Sequence, residues 1–142
     1  MKTSDKGIDL IKKHEGFRAK AYKCPAGKWT IGYGHTLNVK STDVISLDEA
    51  EYFLKKDVEF AENEVNRHNL NINQNQFDAL VSFVFNLGVE NFTRSTLLRK
   101  IKSNPNDPTI REEFEKWIYA DGKVLNGLVR RRKDEADLYF TK

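Results

Sequence analysis

The sequence predicts an α+β fold, because extended and helical patterns occupy different stretches of the chain. From Ala19 to Tyr33 the chain is rich in β-branched and aromatic residues and is broken by glycines and by a Pro-Ala-Gly turn. This pattern is typical of a small hairpin or a three-stranded meander, and it is the only sheet that the sequence predicts. From Ser46 to the C-terminus the apolar periodicity is helical.

The first helix ends at the residue of greatest chemical interest. Ser4 or Asp5 can cap it, and Gly16 ends it, so Glu15 lies at its C-terminal end. A second helical pattern begins with a capping box of the type S-x-x-E over 46–49. Its charged faces predict an exposed helix that bridges two lobes.

The most apolar stretch is "NQNQFDALVSFVFNLG", which ends at Gly88. A helix that is apolar on nearly all its faces belongs in the middle of a core. Three further helices are predicted over 93–103, 109–119 and 127–140.

Composition limits the classes of function. The chain has 142 residues, which suffice for one domain or for two small lobes that share a helix. Its net charge of +3 combines two basic ends with an acidic middle, and a basic balance favours an anionic partner such as nucleic acid, a bacterial envelope or a membrane surface.

The single cysteine excludes an internal disulfide and fits a reducing compartment. The three histidines show no metal-ligand spacing, so neither a metal site nor a cofactor is expected. The N-terminal stretch has no apolar run of the length of a signal peptide or a membrane span. We therefore expect synthesis in the cytosol and no stable membrane insertion.

One motif indicates glycoside cleavage, which needs a proton donor for the leaving oxygen and a water molecule or nucleophile on the opposite face of the sugar. Apolar surroundings keep a carboxyl group protonated at neutral pH. Glu15 suits the donor role, since Phe17 and Tyr22 follow it closely.

The order Glu15, Cys24, Thr30, followed by "IGYGHT", resembles the signature of the phage lysozymes of glycoside hydrolase family 24, the endolysins of T-even and lambdoid phages. The stretch "NQFDALVSFVFNLG" is similar to the central helix of that family, and "GLVRRRKDEADLY" to its C-terminal helix. The resemblance covers nearly the whole chain.

This resemblance implies one lysozyme-like domain over residues 1–142, with an active-site cleft between two lobes. The β lobe would span about 14–45, the helical lobe about 69–142 plus 1–13, and a connecting helix 46–68. The implied reaction is hydrolysis of the β-1,4 bond between N-acetylmuramic acid and N-acetylglucosamine in bacterial peptidoglycan, which lyses the host cell. A monomer is expected, with no nucleic acid as partner.

The resemblance also implies roles for individual residues. Glu15 is the general acid, Cys24 occupies the second catalytic position, and Thr30 orients the attacking water. Four further residues are candidates for binding substrate, although a structural or cleft-lining role is the stronger interpretation for the histidine: Tyr22, Gly34, His35 and Thr36.

Cys24 departs from the many relatives that carry Asp at this position. In an inverting mechanism Cys24 and Thr30 hold the water jointly, whereas in a retaining mechanism the thiol attacks the sugar and forms a thioglycoside. We favour inversion, because relatives with Asp are thought to invert and a thioglycoside would be hydrolysed slowly.

Two rival functions stay open at this point. One is a cysteine peptidase with His14 or His35 as the base for Cys24; the other is a non-catalytic module that binds the cell wall. The basic run over 130–133 suggests nucleic acid, but acidic residues follow at once, which favours a solvated, salt-bridged face for at least part of the run. The resemblance instead implies that one arginine of this run lies near the catalytic Glu, and leaves open which.

The expected location is the cytoplasm of the host bacterium, followed by release to the periplasm and cell wall. Because the N-terminal stretch lacks an anchor, a separate pore-forming protein is expected to provide the route.

Overall fold

The computed structural model describes all 142 residues. Helices and two small antiparallel sheets confirm the α+β class. The elements follow in chain order: α1 (Asp5–Glu15), β1 (Arg18–Lys23), β2 (Trp29–Gly32), α2 (Leu47–Asp57), α3 (Glu59–Arg67), α4 (Gln74–Leu87), α5 (Val89–Thr93), α6 (Thr96–Ser103), α7 (Ile110–Glu115), β3 (Tyr119–Ala120), β4 (Lys123–Val124) and α8 (Asn126–Tyr139).

The chain forms two compact units. The hairpin unit is Ile11–Glu59, and the helical unit is Met1–Leu10 together with Phe60–Lys142. The lobes predicted at about 14–45 and at about 69–142 plus 1–13, with 46–68 between them, stay a prediction.

The sheet of the hairpin unit has β1 at its centre. On one edge β1 pairs with β2 in antiparallel register, with Tyr22 opposite Thr30. On its other edge, Lys20 forms an isolated antiparallel bridge with Val44. The arrangement is thus a hairpin with a third short segment added, and that segment lies outside the 19–33 stretch from which the sheet is predicted.

Helix α2 begins with the predicted capping box. The side chain of Ser46 accepts a hydrogen bond from the Glu49 amide, and the Glu49 side chain accepts one from the Ser46 amide. The helix then packs closely on β2, because a Cβ at Gly32 would lie 3.1 Å from the Cβ of Ala50. Gly32 also has a φ of 64°, which favours glycine.

The stretch expected to form one connecting helix over 46–68 is two helices, α2 and α3. They meet at Val58, whose φ of −79° and ψ of −8° depart from regular α-helical geometry. The Val58 amide still donates to the Leu54 carbonyl at 3.0 Å, and the Val58 side chain is buried. The interruption is therefore one residue long.

Helix α4 is the centre of the helical unit, as its apolar pattern predicts. Every residue from Gln76 to Val84 is buried. The ring of Phe83 makes edge contacts with Phe92, Phe114 and Trp117 at centroid distances of 6.1, 5.8 and 5.7 Å. Full burial of each of the three phenylalanines contributes about 1.5–3 kcal/mol, so this cluster is a main source of the unit's stability.

The basic run of α8 is a solvated, salt-bridged face in part, as expected, but its two middle residues are buried. Arg131 and Arg132 are buried, with 4% and 0% of their surfaces exposed. The Nε of Arg132 lies 2.8 Å from the carboxylate of Glu135, which is itself fully buried and accepts a hydrogen bond from the Ser82 hydroxyl at 2.5 Å. An internal carboxylate, three residues along the same helix, replaces water as the partner of the arginine.

The other helices differ from the predicted ranges. The range 93–103 is divided between α5 and α6, because the Ser95 hydroxyl caps α6 by accepting from the Leu98 amide at 3.0 Å. The range 109–119 is helical only over α7.

A second hairpin, β3–β4, also corrects the prediction of a single sheet. Its turn is made by Asp121 and Gly122, with φ angles of 50° and 77°. Two successive residues with positive φ are typical of the tight turn that joins hairpin strands, and Asp-Gly is a common sequence for it.

Candidate active site

Glu15, the predicted acid, is the last residue of α1 and is half-buried. Gly16 ends the helix with a φ of 73°, while its amide donates to the Lys12 carbonyl at 2.9 Å. A Cβ built at Gly34 would lie 3.3 Å from Oε1 of Glu15. The carboxyl group therefore lies directly against the backbone of the turn that follows β2.

That turn is rigidly held. Ile31 and His35 exchange two backbone hydrogen bonds of 2.9 Å each, which close a loop of three residues between them. Gly34, with a φ of 86°, supplies a conformation that other residues rarely adopt. The close approach to Glu15 gives a second reason for glycine at this position.

His35, predicted as a substrate-binding candidate, is buried and partnered within the hairpin unit. Its Nδ1 lies 2.8 Å from Oδ2 of Asp57, and its ring stacks on Phe53 at a centroid distance of 4.3 Å. These contacts tie the turn carrying Gly34 to helix α2. They support the structural interpretation of His35, while its role in substrate binding stays a prediction.

Cys24 begins the turn that joins β1 to β2. Its amide donates to the Lys28 carbonyl at 2.9 Å, and its carbonyl accepts from the Gly27 amide at 2.8 Å. Gly27 has a φ of 84°, as such a tight turn requires. The thiol is half-buried and is not part of a disulfide.

The turn creates a set of donors for a thiolate at Cys24. The backbone amide of Lys28 makes the largest contribution that lowers the pKa of Cys24 below its ordinary value of 9.0; burial opposes it, and the Ala26 amide and the Thr30 hydroxyl add to the lowering. Hydrogen bonds to the charged form of a group favour that form. The hairpin therefore brings Cys24 and Thr30 together and favours a negative charge on the sulfur.

The proton of the Thr30 hydroxyl has two possible acceptors. In the structure the hydroxyl donates to the Lys28 carbonyl at 3.1 Å, and it can turn toward the Cys24 sulfur when the thiol ionises. Thr30 is buried, so its position is fixed by the strand pairing.

The lowered pKa of Cys24 makes a prediction for thiol chemistry. A plot of the rate of alkylation by iodoacetamide against pH should have its midpoint below 9.0 in the folded protein, because the thiolate is the nucleophile. The same chain unfolded in urea should react with a midpoint near the ordinary value. Thr30→Val should move the folded midpoint upward, since it removes one of the donors.

Cys24→Ser is the blank for this experiment, because Cys24 is the only cysteine. A folded midpoint equal to or above that of the unfolded chain would contradict the assignment of donors in the turn.

The remaining predicted residues lie near the same hairpin. Tyr22 is half-buried on β1, and the guanidinium carbon of Arg18 lies 4.3 Å from the centroid of its ring. Thr36 is exposed just after the turn. The structure thus places all seven predicted site residues in the hairpin unit, between 11 and 59.

Sequence reasoning missed three contributors to this site. Asp57 and Phe53 hold His35, and the backbone of Lys28 faces both Cys24 and Thr30. Asp57 lies 22 residues from His35, and no local pattern connects the two. The contribution of Lys28 is made by its backbone, which the residue type does not reveal.

The structure brings together no three His, Cys, Asp or Glu side chains in a way that could hold a metal ion. None of the helices combines the length and the apolar character that a membrane span needs.

Comparison with known proteins agrees with the resemblance. The family described as Phage lysozyme matches residues 12–135. An endolysin of Acyrthosiphon pisum secondary endosymbiont phage 1 is 46% identical over 145 aligned positions, covering 98% of each chain.

Solved structures give the same result. The muramidase domain of SpmX from Asticaccaulis excentricus is 36% identical, with a TM-score of 0.91 and coverage of 99% of each chain. A mutant of P22 lysozyme is 34% identical, with a TM-score of 0.87 and the same coverage. The predicted family and enzyme class are therefore confirmed: the chain belongs to the phage lysozyme family of glycoside hydrolases.

Proposed function

We propose that this lysozyme is an endolysin that hydrolyses the β-1,4 bond between N-acetylmuramic acid and N-acetylglucosamine in bacterial peptidoglycan. One observation carries the proposal. The β1–β2 hairpin holds the Thr30 hydroxyl close enough to Cys24 to lower the pKa of the thiol, in the same unit that holds the Glu15 carboxyl against Gly34. Membership of the phage lysozyme family supports it.

Glu15 acts as the general acid in this proposal. In its protonated form it donates to the glycosidic oxygen as the bond to the anomeric carbon breaks. Its position supports the role, because the end of α1 and the turn at Gly34 fix the carboxyl group from two sides. A fixed donor keeps the proton within reach of the leaving group.

Cys24 and Thr30 position the attacking water. A thiolate at Cys24 accepts a hydrogen bond from the water and stabilises the positive charge that develops on the sugar. Because of the donors of the 24–28 turn, Cys24 ionises to the thiolate more readily than an ordinary cysteine does, as its lowered pKa indicates. The Thr30 oxygen supplies the second contact to the water.

The proposed stereochemical course is inversion. The oxocarbenium-like transition state needs little help from a base, so a weakly basic thiolate or hydroxyl suffices. In the retaining alternative the Cys24 sulfur bonds to the anomeric carbon. The donors that stabilise the thiolate also reduce its nucleophilicity, because nucleophilicity falls as the pKa of a thiol falls.

The first-formed anomer tests the course of the reaction. Proton NMR during hydrolysis of a soluble peptidoglycan oligosaccharide should show the α anomer first, before mutarotation. Cys24→Asp should give the same anomer and keep activity within about tenfold of the parent, because a carboxylate can hold the same water. A first-formed β anomer, or loss of activity in Cys24→Asp together with a trapped thioglycoside, would establish retention instead.

The peptidase alternative is less well supported. The groups that stabilise a Cys24 thiolate are backbone amides and the Thr30 hydroxyl, with no histidine among them. His35, one of the two candidate bases, directs Nδ1 to Asp57 and stacks its ring on Phe53. A cysteine nucleophile in a peptidase needs a base within hydrogen-bond reach.

Peptidoglycan is the proposed partner of the site. Action at the cell wall after synthesis in the host cytoplasm, release through a separate pore-forming protein, and the monomeric state stay predictions.

A further inference from the structure

A cavity lies in the helical unit, between the turn after α3 and the C-terminal end of α6. It has a volume of about 350 Å³ and shares no residue with the candidate active site. Small-molecule ligands occupy cavities of about 300–1,000 Å³. The cavity is therefore large enough for one sugar ring with its substituents.

Polar side chains with free access to solvent line this cavity. Asn69, Asn71, Lys102 and Ser103 are all exposed. An amide and a hydroxyl each donate and accept hydrogen bonds. The hydroxyl and acetamido groups of an amino sugar have the same dual character, so they match this lining.

Three residues of the lining are apolar. Leu70, Ile101 and Pro105 contribute it, and Ile101 is almost completely buried. The C–H groups of a pyranose ring can pack on such a surface while its substituents reach the polar side chains. Apolar surface with a few convergent polar groups is the usual composition of a ligand site.

Both walls of the cavity are fixed by contacts outside it. The Nε2 of His68 lies 2.8 Å from Oε2 of the buried Glu64, and its ring meets Phe92 edge-on at 5.8 Å. On the opposite wall the Pro105 carbonyl accepts from the Tyr139 hydroxyl at 2.7 Å. A preformed site loses less conformational entropy when a ligand binds.

The charge of the lining limits which charge a ligand can carry. Lys102 is the charged residue of the lining, and no Asp or Glu is part of it. The nearby Glu64 carboxylate is paired with Arg67 and His68. A cationic ligand is therefore disfavoured, whereas a neutral or carboxylate-bearing sugar is compatible.

We propose that this cavity is an accessory binding site for an N-acetylated amino-sugar residue of a wall glycan. The choice of a wall glycan as the polymer rests on the proposed function. No exposed aromatic ring is part of the lining, so the single site binds weakly. A long glycan carries many copies of this sugar, and repeated attachment raises overall affinity without strong individual contacts.

NMR titration tests the site directly. The full chain carrying Glu15→Gln, which prevents hydrolysis, is titrated with peptide-free oligosaccharides of alternating N-acetylglucosamine and N-acetylmuramic acid. We expect the backbone amide signals of 69–71 and 101–103 to shift. The double substitution Asn71→Ala with Lys102→Ala should remove these shifts, whereas Asn63→Ala, an exposed asparagine of α3 outside the cavity, should leave them unchanged.

Three results would overturn the inference: unshifted cavity signals in the presence of the glycan, shifts that persist in the double variant, and shifts produced by free wall peptides alone. Failure of the proposed function is read separately, from hydrolysis of the same oligosaccharides by the chain with Glu15 intact. Cavity shifts without hydrolysis would contradict the proposed function and leave the accessory site standing.

A kinetic comparison gives a second readout. The double variant should need about 3- to 10-fold more insoluble peptidoglycan for half-maximal rate, because it loses the second attachment. Its turnover of a short soluble oligosaccharide should equal that of the parent, since a short chain does not use two sites. An equal loss on both substrates would indicate a general defect and contradict the inference.

Discussion

Glu15→Gln is expected to lower the rate of glycan hydrolysis by about 10²- to 10⁴-fold, the contribution of a positioned general acid. Glutamine keeps the size of the side chain and its place against Gly34 but cannot donate a proton from a carboxyl group. The initial rate of formation of reducing ends from purified peptidoglycan measures the effect.

The matched control for this variant is Glu59→Gln, which makes the same change of charge at a side chain that is 54% exposed. It should retain the parent rate. Equal unfolding temperatures of both variants would show that the fold is kept. A Glu15→Gln protein that hydrolyses peptidoglycan at the parent rate would remove Glu15 from the mechanism.

Glu135→Ala is expected to destabilise the protein by about 3–5 kcal/mol, the cost of leaving a buried charge without its counter-ion. Glu135 and Arg132 are both fully buried, and the carboxylate also accepts from the Ser82 hydroxyl. Burial raises the pKa of Glu135, while the nearby arginines oppose that rise. Urea unfolding followed by circular dichroism measures the free energy.

Two comparisons separate the buried ion pair from a simple loss of side-chain volume. Glu135→Gln keeps the volume and can still accept from Ser82, so it isolates the loss of charge. Glu115→Ala removes an exposed carboxylate of α7 and should change stability by less than about 0.5 kcal/mol. If Glu135→Ala lowered the free energy of unfolding by no more than Glu115→Ala does, the prediction would be contradicted. The buried Arg132 would then be stable without its carboxylate partner.

Features of the fold that depend on local chemistry could be predicted from the sequence. The capping box of α2 and the glycine stop after α4 each depend on a few adjacent residues, and the structure contains both. The Asp121-Gly122 turn carried a similar local signal for the second hairpin, but strands of two residues are too short to show an alternating pattern.

Features that depend on distant partners could not be predicted. Arg131 and Arg132 read as surface residues because charged side chains are usually exposed. Their partners inside the protein include Ser82, 49 positions before Arg131, and Asn86, 46 positions before Arg132. The one-residue break at Val58 has no sequence signal, since valine is compatible with a helix.

The candidate site also combines features that could be predicted from local sequence with features that could not. Cys24 and Thr30 meet because they flank one short turn of a hairpin, so their contact follows from local structure once the strands are assigned. The pairing of His35 with Asp57 joins a loop to a helix, and the lowered pKa of Cys24 depends on backbone amides. Neither can be deduced from residue types and spacing.

The proposed activity of this chain is cleavage of the glycan as a muramidase. Incubation with purified peptidoglycan, followed by borohydride reduction and mass spectrometry, identifies the sugar at each new reducing end. The proposed function predicts new ends on N-acetylmuramic acid alone, formed by the parent chain and not by Glu15→Gln. New ends on N-acetylglucosamine, or released peptides from glycan strands that stay intact, would contradict it.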